Sequence, residues 1–548
     1  MPLFLSFIVA LAITTACTPL LVRVAPRIGL TDHPGHRKVH TRAVPRVGGI
    51  AMAAGILIPA GALVPHLTPP VLGLLAGLLV LLVFGVWDDR VDLDYRLKFL
   101  GQFLAVGLCV SIGGVRIESL TLDAPYLLPH GLSWALTFIF LVGVTNAVNL
   151  SDGLDGLAGG LAFLCLCAIA VLAATTGNWT VTTVALIESG AILGFLRFNT
   201  HPARIFMGDG GSQMLGFSIG VLAILATQGE SSDLSASLPL LLLGLPILDT
   251  LTVIVRRLAA GQSPFVSDRN HLHHRLLEFG FAHREAVLVI YCVQVALFML
   301  AYFLRFQSDV VIVLVYASFA GVVLAALRWM SRTGRHPHSG RALPFASALL
   351  GRFRNPLLVA AFMRAASWTV CLGLIAYAAI VIASTRQVGG DISLLSVAML
   401  VLLIVVSRFT SSGPVGGFER LPAYLSVILL VYLDQNAAAR LPGVSWLSWC
   451  VIGLTAAGAL FRFVFSERRF EVSALDILVV FVALVVPNLP GFISLPPDLP
   501  AGIVKAVLLL YVVEVMENMG SRRSVPRAVV AAMLAAITLR GLFFLVTP

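Results

Sequence analysis

Four carboxylates crowd the end of an apolar run in "FGVWDDRVDLDYRLK" (Phe84–Lys98): Asp88, Asp89, Asp92 and Asp94, interleaved with Arg90, Arg96 and Lys98. On a continuing helix Asp88, Asp92 and Arg96 share one face, and Asp94 pairs with Lys98 one turn on. A solvated helix end with internal ion pairs is the plain reading. Adjacent Asp88 and Asp89 speak against it, because neighbouring carboxylates repel unless a cation or a substrate proton is shared. A second stretch, "NAVNLSDGLDGLAGG" (Asn146–Gly160), strings the oxygen donors Asn146, Asn149, Asp152 and Asp155 at near-helical spacing beside glycines. A capped polar turn needs only one or two of them. In "FNTHPARIFMGDGGS" (Phe198–Ser212), Asp209 stands between glycines just before the next helix. Backbone N–H groups there could cradle phosphate oxygens, and a carboxylate in that setting suits a hard cation. In "SDRNHLHHRL" (Ser267–Leu276), His271, His273 and His274 lie beside Arg269 and Arg275. With no HExxH and no nearby Cys, a cationic, hydrogen-bonding phosphate clamp fits better than zinc. Taken together, the donors suit a magnesium ion holding a diphosphate.

The elements that must position these groups are membrane helices. The chain is 58% hydrophobic and 12% charged, against about 25% charged in soluble proteins. Apolar runs long enough to cross a hydrocarbon core of about 30 Å recur from end to end. The expected fold class is therefore all-α, a polytopic helical membrane protein. About eleven spans begin near Leu3, Gly49, Val71, Phe99, Trp134, Leu157, Trp179, Met214, Leu238, Ala286 and Val310. The first is expected to be a retained span, since it lacks a basic leader region. The intervening loops alternate between poorly charged and basic, which places the N-terminus outside and the basic loops, with the "NLSDGLDGL" turn, in the cytoplasm. All four stretches with chemistry then fall on that one face. The net charge of +10 is spread over short loops, with no Lys/Arg tract interleaved with aromatics, so no nucleic-acid partner is expected. The seven Cys lie in apolar stretches, form no CxxC pair and read as small buried hydrophobes.

The expected organisation is a membrane domain over 1–330, a basic cytoplasmic hinge over 331–364 and a second membrane block over 365–548. About seven further spans in that block start near Ala366, Leu394, Tyr424, Trp446, Val472, Gly502 and Ala528.

The stretches "HRKVHTRAVPRVGG", "DDRVDLDYRLK", "NAVNLSDGLDGL", "FMGDGGS" and "SDRNHLHHR", in this order, resemble the polyprenyl-phosphate N-acetylhexosamine-1-phosphate transferases. The "RNHLHHR" and "RKVH…PRVGG" forms are similar to the WecA-like branch of that superfamily rather than the MraY-like one. The resemblance covers about 1–330. It implies that a polyprenyl phosphate, undecaprenyl phosphate in a bacterial inner (cytoplasmic) membrane, attacks the β-phosphorus of a UDP-N-acetylhexosamine and releases UMP, with the active site facing the cytoplasm. UDP-N-acetylglucosamine is the default donor, and cell-envelope polysaccharide synthesis the implied setting. By the same resemblance Asp209 is a Mg2+ ligand, with Mn2+ as a substitute and Asn149 assisting. Asp88 and Asp89 are the essential acidic pair. Lys98 meets the diphosphate, Asp155, Asn199 and Phe206 form the nucleotide pocket, and His271, His273, His274 and Arg275 gate the phosphate side. Asn146, Asp152, Lys38 and His40 are further candidates, and a homodimer is a conceivable assembly. Direct attack and a covalent aspartyl route both stay open. The rivals are an MraY-like enzyme with a muramoyl-pentapeptide substrate and a transporter using Asp249, Asp476, Glu514 and Arg540, since polar residues in spans often mark ion pathways. The block beyond Arg364 departs from the family pattern. It reads as a packing or oligomerisation element or, more sharply, as a module for partner docking or lipid handling.

Overall fold

The computed structural model describes residues 2–33, 43–64, 67–122, 125–228, 232–263, 271–333, 356–385, 388–409, 420–438, 442–465, 505, 508–513, 515–516 and 524–546. They form two compact units, one within 2–333 and one within 356–546. Lys38, His40 and Arg269 lie outside the described residues, as do Asp476, Glu514 and most of the spans expected from Val472 and Gly502.

In the first unit the helices are α1 (Pro2–Val24), α2 (Gly48–Leu63), α3 (Pro69–Val91), α4 (Tyr95–Ser111), α5 (His130–Leu150), α6 (Leu157–Thr175), α7 (Trp179–Asn199), α8 (Gly208–Thr227), the short α9 (Pro239–Leu242), α10 (Gly244–Ala259), the short α11 (Leu272–Glu278), α12 (His283–Phe303) and α13 (Asp309–Thr333). Two short antiparallel ribbons interrupt them, β1 (Thr31–Asp32) with β2 (Val44–Pro45), and β3 (Ser119–Thr121) with β4 (Pro125–Leu127). Nine helices among the described residues are long and apolar enough to cross a membrane, seven of them in this unit. The polytopic all-α expectation holds. The ninth expected span is interrupted at Leu243, between α9 and α10.

Burial orders the bundle. α6 and α8 are mainly apolar and almost wholly enclosed, as expected of central helices, whereas α13 buries little of itself. α8 packs against α2, α3, α5 and α6, and α1 against α2 and α7. An enclosed helix meets solvent only at its ends, and α8 carries Asp209 in its first turn.

The second unit holds helices Pro356–Ser384, Gly390–Phe409, Arg420–Ala438, Pro442–Phe465 and Ser524–Val546. The first begins inside the stretch read as a hinge, because its apolar pattern already runs from Pro356.

Candidate active site

The helix expected to continue from Asp88 to Arg96 does not. α3 stops at Asp92, whose φ of 52° is left-handed, and α4 restarts at Tyr95 with Asp94 as its cap, accepting the Arg96 N–H at 3.4 Å. Asp88, Asp92 and Arg96 therefore share no helix face. The break folds Lys98 back on α3. Its Nζ lies 2.7 Å from Asp88 Oδ2 and 3.4 Å from Asp209 Oδ2, so its close partner is Asp88 rather than Asp94. Asp88 is nearly sealed, its side chain 3% exposed, and its Oδ1 accepts the Leu93 N–H at 2.8 Å. Removing Lys98 would strand a buried charge, at a cost of about 3–5 kcal/mol.

Asp89 does something the sequence did not suggest. Its carboxylate accepts the N–H groups of Asp209 (3.1 Å) and Gly210 (3.4 Å), so it caps α8 from a neighbouring helix. Two of the N–H groups expected to cradle phosphate are thus already taken. The approach is close: a Cβ on Gly85 would stand 2.2 Å from Gly210 Cα, and Gly208, at φ +71°, has no room for one beside Asp89. Arg46 Nη1 lies 3.9 Å from Asp89 and its Nη2 2.7 Å from Asp32. Arg46 is held there by backbone pairing of the "PRVGG" stretch, with Phe206 N–H to Pro45 O at 2.8 Å and Gly48 N–H to Phe206 O at 2.9 Å. Asp209 remains the open acid, its side chain 37% exposed.

Asn149 lies beside the same turn, its Oδ1 accepting from Ser212 Oγ at 2.6 Å. Asn146, expected as a further oxygen donor, is spent within the bundle. It exchanges hydrogen bonds with Gln102, which also donates to Gln213 at 3.0 Å. Asp152 and Asp155 sit in the loop between α5 and α6. Crowding by protein, then repulsion from Asp209, Asp89 and Asp155, raises the Asp152 carboxyl to about 7 even though it reaches solvent. Asp155 Oδ2 takes His201 Nδ1 at 2.7 Å and the Ala203 N–H at 3.0 Å.

Asn199, expected in the nucleotide pocket, is 2% exposed. Its Oδ1 accepts the Gly156 N–H and its Nδ2 donates to Ile205 O, which suits pinning two loops together rather than touching a ligand. Phe206 is half-buried in the adjoining strand-like segment.

The histidine loop divides. His271 Nδ1 bonds Asp249 Oδ2 at 2.9 Å, and Asp249 Oδ1 accepts the Leu272 N–H at 2.7 Å. Asp249, a transporter candidate by sequence, instead anchors α11. Arg275 turns to α13, reaching Leu327 O at 3.5 Å. His273 faces the acidic side, with its Nε2 directly over Gly153. Burial, then the neighbouring His274, holds its pKa down to about 3, so it is neutral at neutral pH and no cationic clamp. His274 is half-buried beside it. Arg46 escapes sequence reasoning as a site residue, and Asp249 reads there only as a transporter candidate, because their partners lie far along the chain.

The sequence model of Glycosyl transferase family 4 matches residues 71–227, from α3 to the end of α8. The chain is 38% identical over 292 residues to a probable undecaprenyl-phosphate N-acetylglucosaminyl 1-phosphate transferase of Bacillus subtilis (strain 168), covering 53% of this chain and 81% of that one. It is 36% identical over 314 residues to a decaprenyl-phosphate N-acetylglucosaminephosphotransferase of Mycolicibacterium smegmatis, covering 52% and 77%. Over 275 residues it is 32% identical to the undecaprenyl-phosphate alpha-N-acetylglucosaminyl 1-phosphate transferase of Escherichia coli (strain K12), covering 49% and 74%. These matches leave the C-terminal region uncovered. With its acids gathered where α3, α4 and α8 meet, this chain belongs to the polyprenyl-phosphate N-acetylglucosamine-1-phosphate transferase family.

Proposed function

We propose that the chain transfers N-acetylglucosamine 1-phosphate from UDP-N-acetylglucosamine to a polyprenyl phosphate, undecaprenyl phosphate in a bacterial inner membrane, with the site facing the cytoplasm. The relatives' activity, the nine membrane-length helices and the Arg-rich loops at the site's end support this reading. The observation that carries it is the grouping of Asp88, Asp89, Lys98 and Asp209, in which one carboxylate is left open to solvent.

Asp209 and Asn149 offer oxygen donors, with Asp152 near enough to add its charge, a set that fits Mg2+ and, less selectively, Mn2+. When bound, such an ion supplies charge neutralisation on the diphosphate. The nucleophile needs little help, since a phosphate monoester with a second pKa of about 6 is largely dianionic at neutral pH. A lipid phosphate oxygen forms the new bond to the β-phosphorus, the bond to the bridging oxygen breaks, and UMP departs with that electron pair. Lys98, between Asp88 and Asp209, is placed to steady the phosphates. Asp88 is held by Lys98 and Leu93, and Asp89 by the first turn of α8. With both engaged, direct attack by the lipid phosphate is favoured over an aspartyl intermediate, and the two acids act by positioning.

Purified protein given undecaprenyl phosphate, a panel of UDP-sugars and Mg2+ should release UMP fastest with UDP-N-acetylglucosamine and form the lipid-linked sugar phosphate. UMP release independent of the lipid would refute the reaction. Faster turnover with another sugar would correct the donor.

A further inference from the structure

We propose that Asp155, His201 and His283 form a binding site for a zinc-class divalent transition ion. The three come from separate segments: the loop between α5 and α6, the turn after α7 and the first residue of α12. Their ligating atoms all lie within 4.8 Å of one another. His201 Nδ1 is 2.7 Å from Asp155 Oδ2, His283 Nε2 is 3.4 Å from the Asp155 carbonyl oxygen, and the two imidazole rings stack with centroids 4.2 Å apart.

Zinc bonds of about 2.0–2.1 Å in a tetrahedral site set neighbouring donor atoms about 3.3 Å apart. To admit the ion, the His201–Asp155 pair at 2.7 Å needs to open by only about half an ångström, and the remaining donor separations, all within 4.8 Å, to close toward that value. Two imidazoles and one carboxylate suit zinc, copper or nickel, whereas the oxygen donors around Asp209 suit magnesium. His201 is exposed, which gives an ion a route in from solvent. The Ala203 N–H already steadies the carboxylate at 3.0 Å, the kind of outer hydrogen bond that fixes a ligand's orientation. Occupancy ties the acidic loop, the turn after α7 and the start of α12 together and leaves a fourth coordination position for water. This inference stands on the three side chains alone, without the transfer reaction.

Co2+ titrated into the full chain in detergent, with excess Mg2+ covering the oxygen sites, reads the site through the strong visible absorption of four-coordinate cobalt. A saturable band, displaced by Zn2+, is expected. His201→Gln and His283→Gln should each weaken Co2+ binding roughly tenfold or more, a loss that removal of an outer-shell partner alone can reach. His274→Gln should leave the band in place, and circular dichroism checks that each variant is folded. No saturable band overturns the proposal. A band that survives both His201→Gln and His283→Gln, or that follows His274→Gln instead, overturns it equally.

Discussion

The two units handle buried charge in opposite ways. In the second, Asp434 and Lys505 are 0% and 1% exposed, and Lys505 Nζ meets Asp434 Oδ2 at 2.7 Å and Ser448 Oγ at 2.8 Å. Tyr377 donates to the same carboxylate oxygen at 3.0 Å. One acid is matched by one base, sealed in an apolar bundle. In the first unit, Asp32, Asp88, Asp89, Asp152, Asp155 and Asp209 gather at helix ends and loops, and among the described residues Lys98 and Arg46 are the lysine and arginine seen to pair with them. Low dielectric forces a charge to find its partner within the protein. A mouth open to water can keep an excess of acid in reserve for an incoming cation or substrate. Charge balance thus separates a self-satisfied polar centre from a recruiting one.

Four changes would break or sharpen that contrast. Asp209→Asn should lower turnover roughly a thousandfold while the chain stays folded, because only the recruiting centre loses its open acid. A variant with near-normal UMP release would remove Asp209 from the site. Lys505→Met should instead destabilise the second unit by about 3–5 kcal/mol, as expected when one half of a buried pair is stranded. Adding Asp434→Leu should restore much of this in thermal unfolding, and a Lys505→Met chain as stable as the parent would deny the pair its role. Asp249→Ala removes the acceptor of the Leu272 N–H and of His271. A loss of about 1–2 kcal/mol in local stability is expected, read as faster amide exchange confined to α11.

The smallest effect concerns pH. Burial among protein atoms and the neighbouring acids raise the folded Asp152 carboxyl to about 7, above the ordinary aspartate range, so the folded chain holds that proton more tightly than the unfolded one. Its contribution to stability is therefore fully present below about pH 4 and is lost as pH rises toward 7. Asp152→Asn should flatten this decline, with a melting shift of about 2–4 °C at neutral pH. An unchanged pH profile would show that Asp152 does not share in the acidic excess.

The sequence displayed the helices well, because apolar length and loop charge are local properties. Starts expected at Leu3, Gly49, Leu157 and Trp179 fall within a residue of the observed ones. It displayed which acids meet, through the order of the motifs, but not how. The Asp92 break follows from a left-handed residue that is not glycine, and nothing in "DDRVDLD" announces it. The family resemblance puts Asn199 in the nucleotide pocket, and only the fold shows that its amide also ties Gly156 to Ile205. His271 and Asp249 are separated by 22 residues, so their pairing belongs to tertiary structure. Asp434 and Lys505 drew no notice, since they lie 71 residues apart and no motif joins them.

The bare crossing of Gly85 on Gly210 has a lasting consequence. Main-chain thickness, rather than the fit of interlocking hydrophobic groups, sets how far α3 stands from α8 beneath Asp89 and Asp209. Lipid-facing and interior residues elsewhere along both helices can then drift in size over evolution while the gauge between those acids is kept.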